Sequence, residues 1–115
     1  MAQQAWRTRL QRAVEEAVRQ IVAGYDPERI IVFGSVARGD VHEDSDIDLL
    51  VVKRTDRSFL QRIDDVMAVV NVAVPVQPLV YTPEELERLI RERRDFICTA
   101  LEEGRIVYER PRQPE

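Results

Sequence analysis

Cysteine occurs once in this chain, as Cys98. A lone cysteine excludes an internal disulfide and a cysteine-based metal cluster, so Cys98 reads as a small buried apolar residue. Long apolar runs are missing as well. None approaches the ~20 residues of a membrane span, and Met1 is followed by no apolar leader of the secretory kind. The expected setting is the cytoplasm, with no membrane partner. A basic surplus is also absent: 17 Lys and Arg stand against 21 Asp and Glu, a net charge of −4. General nucleic-acid binders carry the opposite balance. The chain therefore has no strong nucleic-acid signal, although bound cations would let an acidic site accept a nucleotide. Internal repeats and low-complexity linkers are lacking too.

What is present fits one globular unit. The 115 residues are 44% hydrophobic and 33% charged, enough for one core and little more. The reading is a single domain over residues 1–110 and a loose C-terminal tail over 111–115. Apolar residues from Trp6 to Val22 recur at three- and four-residue steps and predict a helix, which Gly24 is placed to stop. "RIIVF" (29–33) reads as a buried strand. "VARG" (36–39) gives a turn or two of helix, and "DIDLLVVK" (46–53) a second strand. The run 56–70 predicts a helix with Phe59, Leu60, Ile63, Val66, Met67 and Val70 on its apolar face. "VAVPVQPLVY" (72–81) is β-rich, but Pro75 and Pro78 confine it to a sheet edge or a bulge. "TPEE" (82–85) starts a helix with a capping box. Its stripe runs to about Glu103 and is interrupted at Arg93, which allows a kink or two helices. "RIVYE" (105–109) adds a short strand. This alternation predicts an α/β (α+β) layer, a small mixed sheet of three or four strands covered by helices.

Two local features carry chemistry. After the strand ending at Phe33, Gly34 lets a ligand approach the backbone. Ser35 either offers a hydroxyl beside free N–H groups, as a phosphate cradle would require, or simply caps the next helix. Further on, Asp46 and Asp48 alternate across the start of a strand. They share one face, ~6.5 Å apart along the chain, and can jointly hold Mg²⁺. A calcium loop beginning at Asp44 is excluded, because Leu49 stands where glycine is required and Thr55 where glutamate is required.

Together these features form the pattern Gly-Ser, ten residues, Asp-x-Asp, within "FGSVARGDVHEDSDIDLLVV". Here the chain resembles the nucleotidyltransferase superfamily related to DNA polymerase beta, and in particular the minimal nucleotidyltransferases of bacteria and archaea. The resemblance runs from about Arg29 to Tyr108. It implies that Gly34 and Ser35 hold a triphosphate, that Asp46 and Asp48 hold Mg²⁺ and are catalytic, and that Arg38 orients the motif loop or the phosphates. From the residues alone, Arg38 reads equally as an ion pair with Asp40, Glu43 or Asp44. The resemblance further implies transfer of a nucleoside monophosphate, AMP from ATP, to an acceptor hydroxyl. The acceptor it suggests is a tyrosine of a HEPN-domain toxin, with this chain as the antitoxin; an oligomer is left open.

One more absence bears on that expectation. Active relatives carry a third carboxylate on the following strand, yet no Asp or Glu lies between Asp65 and Glu84. Gln77 occupies the corresponding place. An amide oxygen can ligate weakly but cannot act as a base. The alternative function is thus a catalytically weak or inactive antitoxin that binds nucleotide or partner. His42, in the polar loop before the acids, reads as solvated.

Overall fold

A computed structural model describes residues 2–111. Its elements in chain order are α1 (Ala2–Tyr25), β1 (Arg29–Phe33), α2 (Gly34–Arg38), β2 (Ile47–Val52), α3 (Phe59–Met67), β3 (Val76–Tyr81), α4 (Pro83–Arg91), α5 (Asp95–Glu103) and β4 (Arg105–Glu109). The strands form one mixed sheet in the order β3-β2-β1-β4. β1 runs antiparallel to β2 and β4, whereas β2 and β3 are parallel. This is the mixed α/β sheet the sequence predicted, with four strands. Residues 112–115 of the expected tail lie outside the described residues. Among the described residues, no helix is long and apolar enough to cross a membrane.

Alternation along the strands separates two apolar layers. Ile30, Val32, Ile47, Leu49, Val51, Val76 and Val80 face the buried side of α1 and Val66 of α3. Ile31, Phe33, Leu50 and Val52 face Leu86 of α4 and Ile97 and Ala100 of α5. β3 lies at the sheet edge, as its prolines require. Ile47 N–H donates to the Pro75 carbonyl and Lys53 N–H to the Tyr81 carbonyl. The odd-numbered residues of β3 thus turn their backbone groups toward β2. Pro78 falls in the outward set, where its missing N–H disturbs no ladder bond.

That edge is sealed by a charge. Arg62 of α3 is only 6% exposed. Its guanidinium donates to the outward carbonyl of Val80 at 3.2 Å, to the Arg57 carbonyl at 2.8 Å and to Glu85 Oε1 at 2.6 Å. Glu85 also closes the capping box of α4 by accepting from Thr82 N–H. The predicted apolar face of α3 is corrected by this arrangement. Val66 is buried, but Leu60 is 72% exposed, and Phe59 and Met67 also reach the surface. Arg62 takes the inward position, where its guanidinium satisfies the outward Val80 carbonyl of the strand edge.

Three smaller expectations resolve as follows. Gly24 does not stop α1. The helix continues through Tyr25, and Asp26 makes the left-handed turn with φ 53°. Gly24 instead allows close packing, since a Cβ there would lie 2.7 Å from Val69 Cγ1. At Arg93 the backbone turns left-handed with φ 56°, which splits the predicted long helix into α4 and α5. Cys98 is half-buried rather than buried.

Candidate active site

The two sequence features meet at one end of the sheet. Phe33 and Asp48 are register partners across β1 and β2, and Asp48 and Gln77 are partners across β2 and β3. Ile47 and Leu49 point into the α1 layer, so Asp48 projects from the opposite face, toward α5. Immediately after Phe33, Gly34 turns the chain with φ 71°. A Cβ at Gly34 would sit 2.3 Å from Asp48 Oδ2. The glycine thus serves two needs: it adopts a conformation that L-residues disfavour, and it leaves room for the carboxylate. The link between Gly34 and Asp48 is direct steric contact.

Asp46 lies one residue before β2 and joins the same group. Gln77 Nε2 donates to Asp46 Oδ2 at 3.2 Å. Burial raises the Asp48 carboxyl above the ordinary carboxylate range, the negative charge of Asp46 raises it further, and Arg38 opposes both. The two carboxylates therefore repel across a partly desolvated gap, an arrangement that a cation would relieve. Among the described residues no three His, Cys, Asp or Glu side chains converge as a metal cage. Two carboxylates, with substrate oxygens completing the shell, nonetheless suit a hard divalent ion. Gln77 thus stands in the position expected of a third acid, in contact with the first.

Ser35 is not the cap of α2. The cap position is Phe33, without a side-chain bond, and Ser35 lines the cleft instead. α2 is a single five-residue turn closed by Gly39 with φ 77°. Arg38, at its end, pairs with Glu103 of α5 at 3.1 Å, not with Asp40, Glu43 or Asp44. The loop before Asp46 is tied by its own turn. His42 N–H donates to Ser45 Oγ at 2.8 Å, and His42 Nδ1 accepts from Asp44 N–H at 3.2 Å. His42 and Asp44 are exposed in that loop.

These groups open onto a cleft of about 970 Å³. Its sheet side carries Phe33, Asp48, Gln77 and Leu79, α2 contributes Ser35 and Arg38, and Ile63 and Met67 of α3 flank the β3 edge. The remaining wall is α5, through Asp95, Phe96, Thr99, Ala100 and Glu103. Sequence reading missed this wall. The one signal for it was Phe96, an apolar residue off the buried stripe of its helix.

Comparison with known proteins agrees with this geometry. The family "Nucleotidyltransferase domain" matches residues 12–108. A Methanocaldococcus jannaschii protein named "Putative protein adenylyltransferase MJ0604" is 32% identical over 100 residues, 85% of this chain and 97% of that protein. A second protein of that organism, "Putative protein adenylyltransferase MJ1305", is 32% identical over 93 residues, covering 76% of this chain and 62% of its own length. In three dimensions, the crystal structure of a putative nucleotidyltransferase from Sulfolobus solfataricus superposes with a TM-score of 0.66 at 22% identity, covering 92% of this chain and 86% of that one, which shows a shared fold. The family generally uses a nucleoside triphosphate and a divalent metal ion. On the extent of these matches, the chain belongs to the nucleotidyltransferase domain family and is a transferase of that type.

Proposed function

We propose that the protein transfers AMP from ATP to a hydroxyl of another protein, with Asp46 and Asp48 holding Mg²⁺. The observation that carries this reading is the shared cleft of Ser35, Asp48 and Gln77, with Gly34 leaving the Asp48 carboxylate its space. Gly34 and Ser35 receive the β- and γ-phosphates, and Arg38 adds positive charge on the same side. The acceptor oxygen bonds to the α-phosphorus, the bond to the bridging oxygen breaks, and pyrophosphate leaves. When bound, the ion supplies charge neutralisation at the α-phosphate. The acceptor's proton passes to water, since Asp46 and Asp48 are engaged in holding the ion. The names of the two M. jannaschii relatives support protein as acceptor. The acceptor we propose is a HEPN-domain toxin, with this chain as its cytoplasmic antitoxin.

Gln77 favours a second reading, in which transfer is slow and the antitoxin acts mainly by occupying its partner. One experiment addresses both. The protein is incubated with Mg²⁺, α-labelled ATP and the candidate acceptor. Label on the acceptor is expected, and Gln77→Asp should increase it by about 10²-fold, the lower end of a general-base contribution. A stable complex that stays unlabelled with either form would remove the transfer reading and leave occlusion.

A further inference from the structure

We propose that Phe96 is the stacking surface for the nucleotide base, which makes α5 the element that selects the base. This rests on the nucleotidyl-transfer reading above. Phe96 is 55% exposed, although it stands on the helix that closes the second apolar layer. Its ring meets the Phe33 ring edge to face, with centroids 5.8 Å apart and planes at 87°. Phe33 is buried, immediately precedes Gly34 and is the register partner of Asp48. The ring of Phe96 is thus braced by the residue that anchors the phosphate and carboxylate end of the cleft, while more than half of Phe96 stays exposed. Phe33 and Phe96 are the aromatic residues lining the cleft, and of the two only Phe96 offers free ring surface.

That geometry suits a flat ligand. An aromatic ring already braced by another ring has little further freedom to lose on binding, and stacking draws on its exposed area. The sheet-side and α3 walls add Leu79, Ile63 and Met67, an apolar surround appropriate to a base and unsuited to a phosphate. Thr99, three residues on from Phe96, also lines the cleft. A hydroxyl there donates or accepts equally well and discriminates little between base edges. Selection should therefore follow stacking area: purine nucleoside triphosphates bind more tightly than pyrimidine ones, and the preference resides in Phe96.

The test compares ATP, GTP, CTP and UTP with inorganic tripolyphosphate, a probe without a base. Binding to the full chain is measured by calorimetry with Mg²⁺. The wild type should bind ATP and GTP more tightly than CTP and UTP. Phe96→Ala should weaken ATP by about tenfold, as loss of one base–aromatic stack does, level the four nucleotides, and leave tripolyphosphate within twofold. Phe96→Trp should restore the purine preference. Unchanged ATP binding in Phe96→Ala would overturn the proposal. So would equal weakening of ATP and tripolyphosphate, because Phe96 would then act only by supporting Phe33. A wild type that binds tripolyphosphate as tightly as ATP overturns the base site and leaves the phosphate site standing. A wild type that binds neither overturns the transfer reading with it.

Discussion

The two sides of β2 follow opposite rules. On one side Ile47, Leu49 and Val51 are sealed against the α1 layer with no exposed surface. On the other, Leu50 and Val52 are buried near the C-terminal end, while Asp48 faces a cleft at the other end and the preceding Asp46 accepts from Gln77 beside it. One strand of six residues, with the residue before it, therefore carries both a continuous hydrophobic face and a pair of mutually repelling carboxylates. The difference shows where each kind of energy is located. Apolar burial on the α1 side holds β2 in place, and the strand so held keeps Asp48 in a position it would not choose for its own sake.

Adjacent substitutions should separate these roles most clearly. Leu49→Ala removes a fully buried side chain and should destabilise the fold by about 2–5 kcal/mol, seen as a large fall in melting temperature. Asp48→Asn should leave the melting temperature in chelator unchanged or slightly higher. Its folded-state pKa is raised, so the ionised carboxylate disfavours the fold at neutral pH, and that penalty disappears only as pH falls below the ordinary carboxylate range. Transfer should nevertheless fall at least ~10²-fold, the scale of losing one group that stabilises transition-state charge. Matching stability losses in the two variants would erase the distinction between the sides of the strand.

The glycines at the start and the C-cap of α2 offer a finer test. Both are left-handed, Gly34 at φ 71° and Gly39 at φ 77°. A Cβ at Gly34 would displace the Asp48 carboxylate, whereas at Gly39 it would meet nothing within 4 Å. Alanine at either position should cost about 1–2 kcal/mol of stability from backbone strain. Only Gly34→Ala should also reduce transfer, by up to about 10²-fold, the consequence of a ~1 Å displacement at a reacting centre. Comparable activity in the two variants would mean that the carboxylate's position is not what Gly34 protects.

Much of this was legible from local chemistry. The spans of β1, β2 and β4, the edge position of β3 and the capping box of α4 follow from short patterns whose physics is confined to neighbouring residues, whereas the pairing of Gly34 with Asp48 rests on the family resemblance. What escaped depends on contacts between distant segments. Gly24 read as a helix stop, because nothing near it in sequence reveals that Val69 packs against it. Arg62 falls outside the predicted buried face, because its reason for burial is the carbonyl of Val80, eighteen positions away. Leu60 read as core on periodicity alone. Arg38 read either as orienting the motif loop or phosphates or as paired with Asp40, Glu43 or Asp44, and it pairs with Glu103, sixty-five positions away. The α5 wall went unread for the same reason: a cleft is a property of elements brought together, and α5 carries no motif.

The smallest expected effect concerns the sealed edge of β3, and it reverses the behaviour of Asp48. The Glu85 carboxyl is held below its ordinary range, chiefly by its hydrogen bond with Arg62 and also by accepting from Thr82 N–H, while desolvation opposes both. A depressed folded-state pKa means that the ionised form supports the fold. That contribution is complete above the unfolded value and is lost as pH falls through the lower, folded value. Glu85 should therefore add to acid destabilisation below about pH 4.3, the ordinary glutamate value, while protonation of Asp48 offsets part of the loss. Glu85→Gln should have a lower melting temperature than the wild type at pH 7, because Arg62 loses its counter-charge, and a shallower further fall toward pH 3. Parallel acid limbs in the two proteins would show that the Arg62 bonds to the Val80 and Arg57 carbonyls seal this edge unaided. The ion pair would then be incidental to the sealed side, and the contrast with the open end would rest on apolar packing and backbone hydrogen bonds alone.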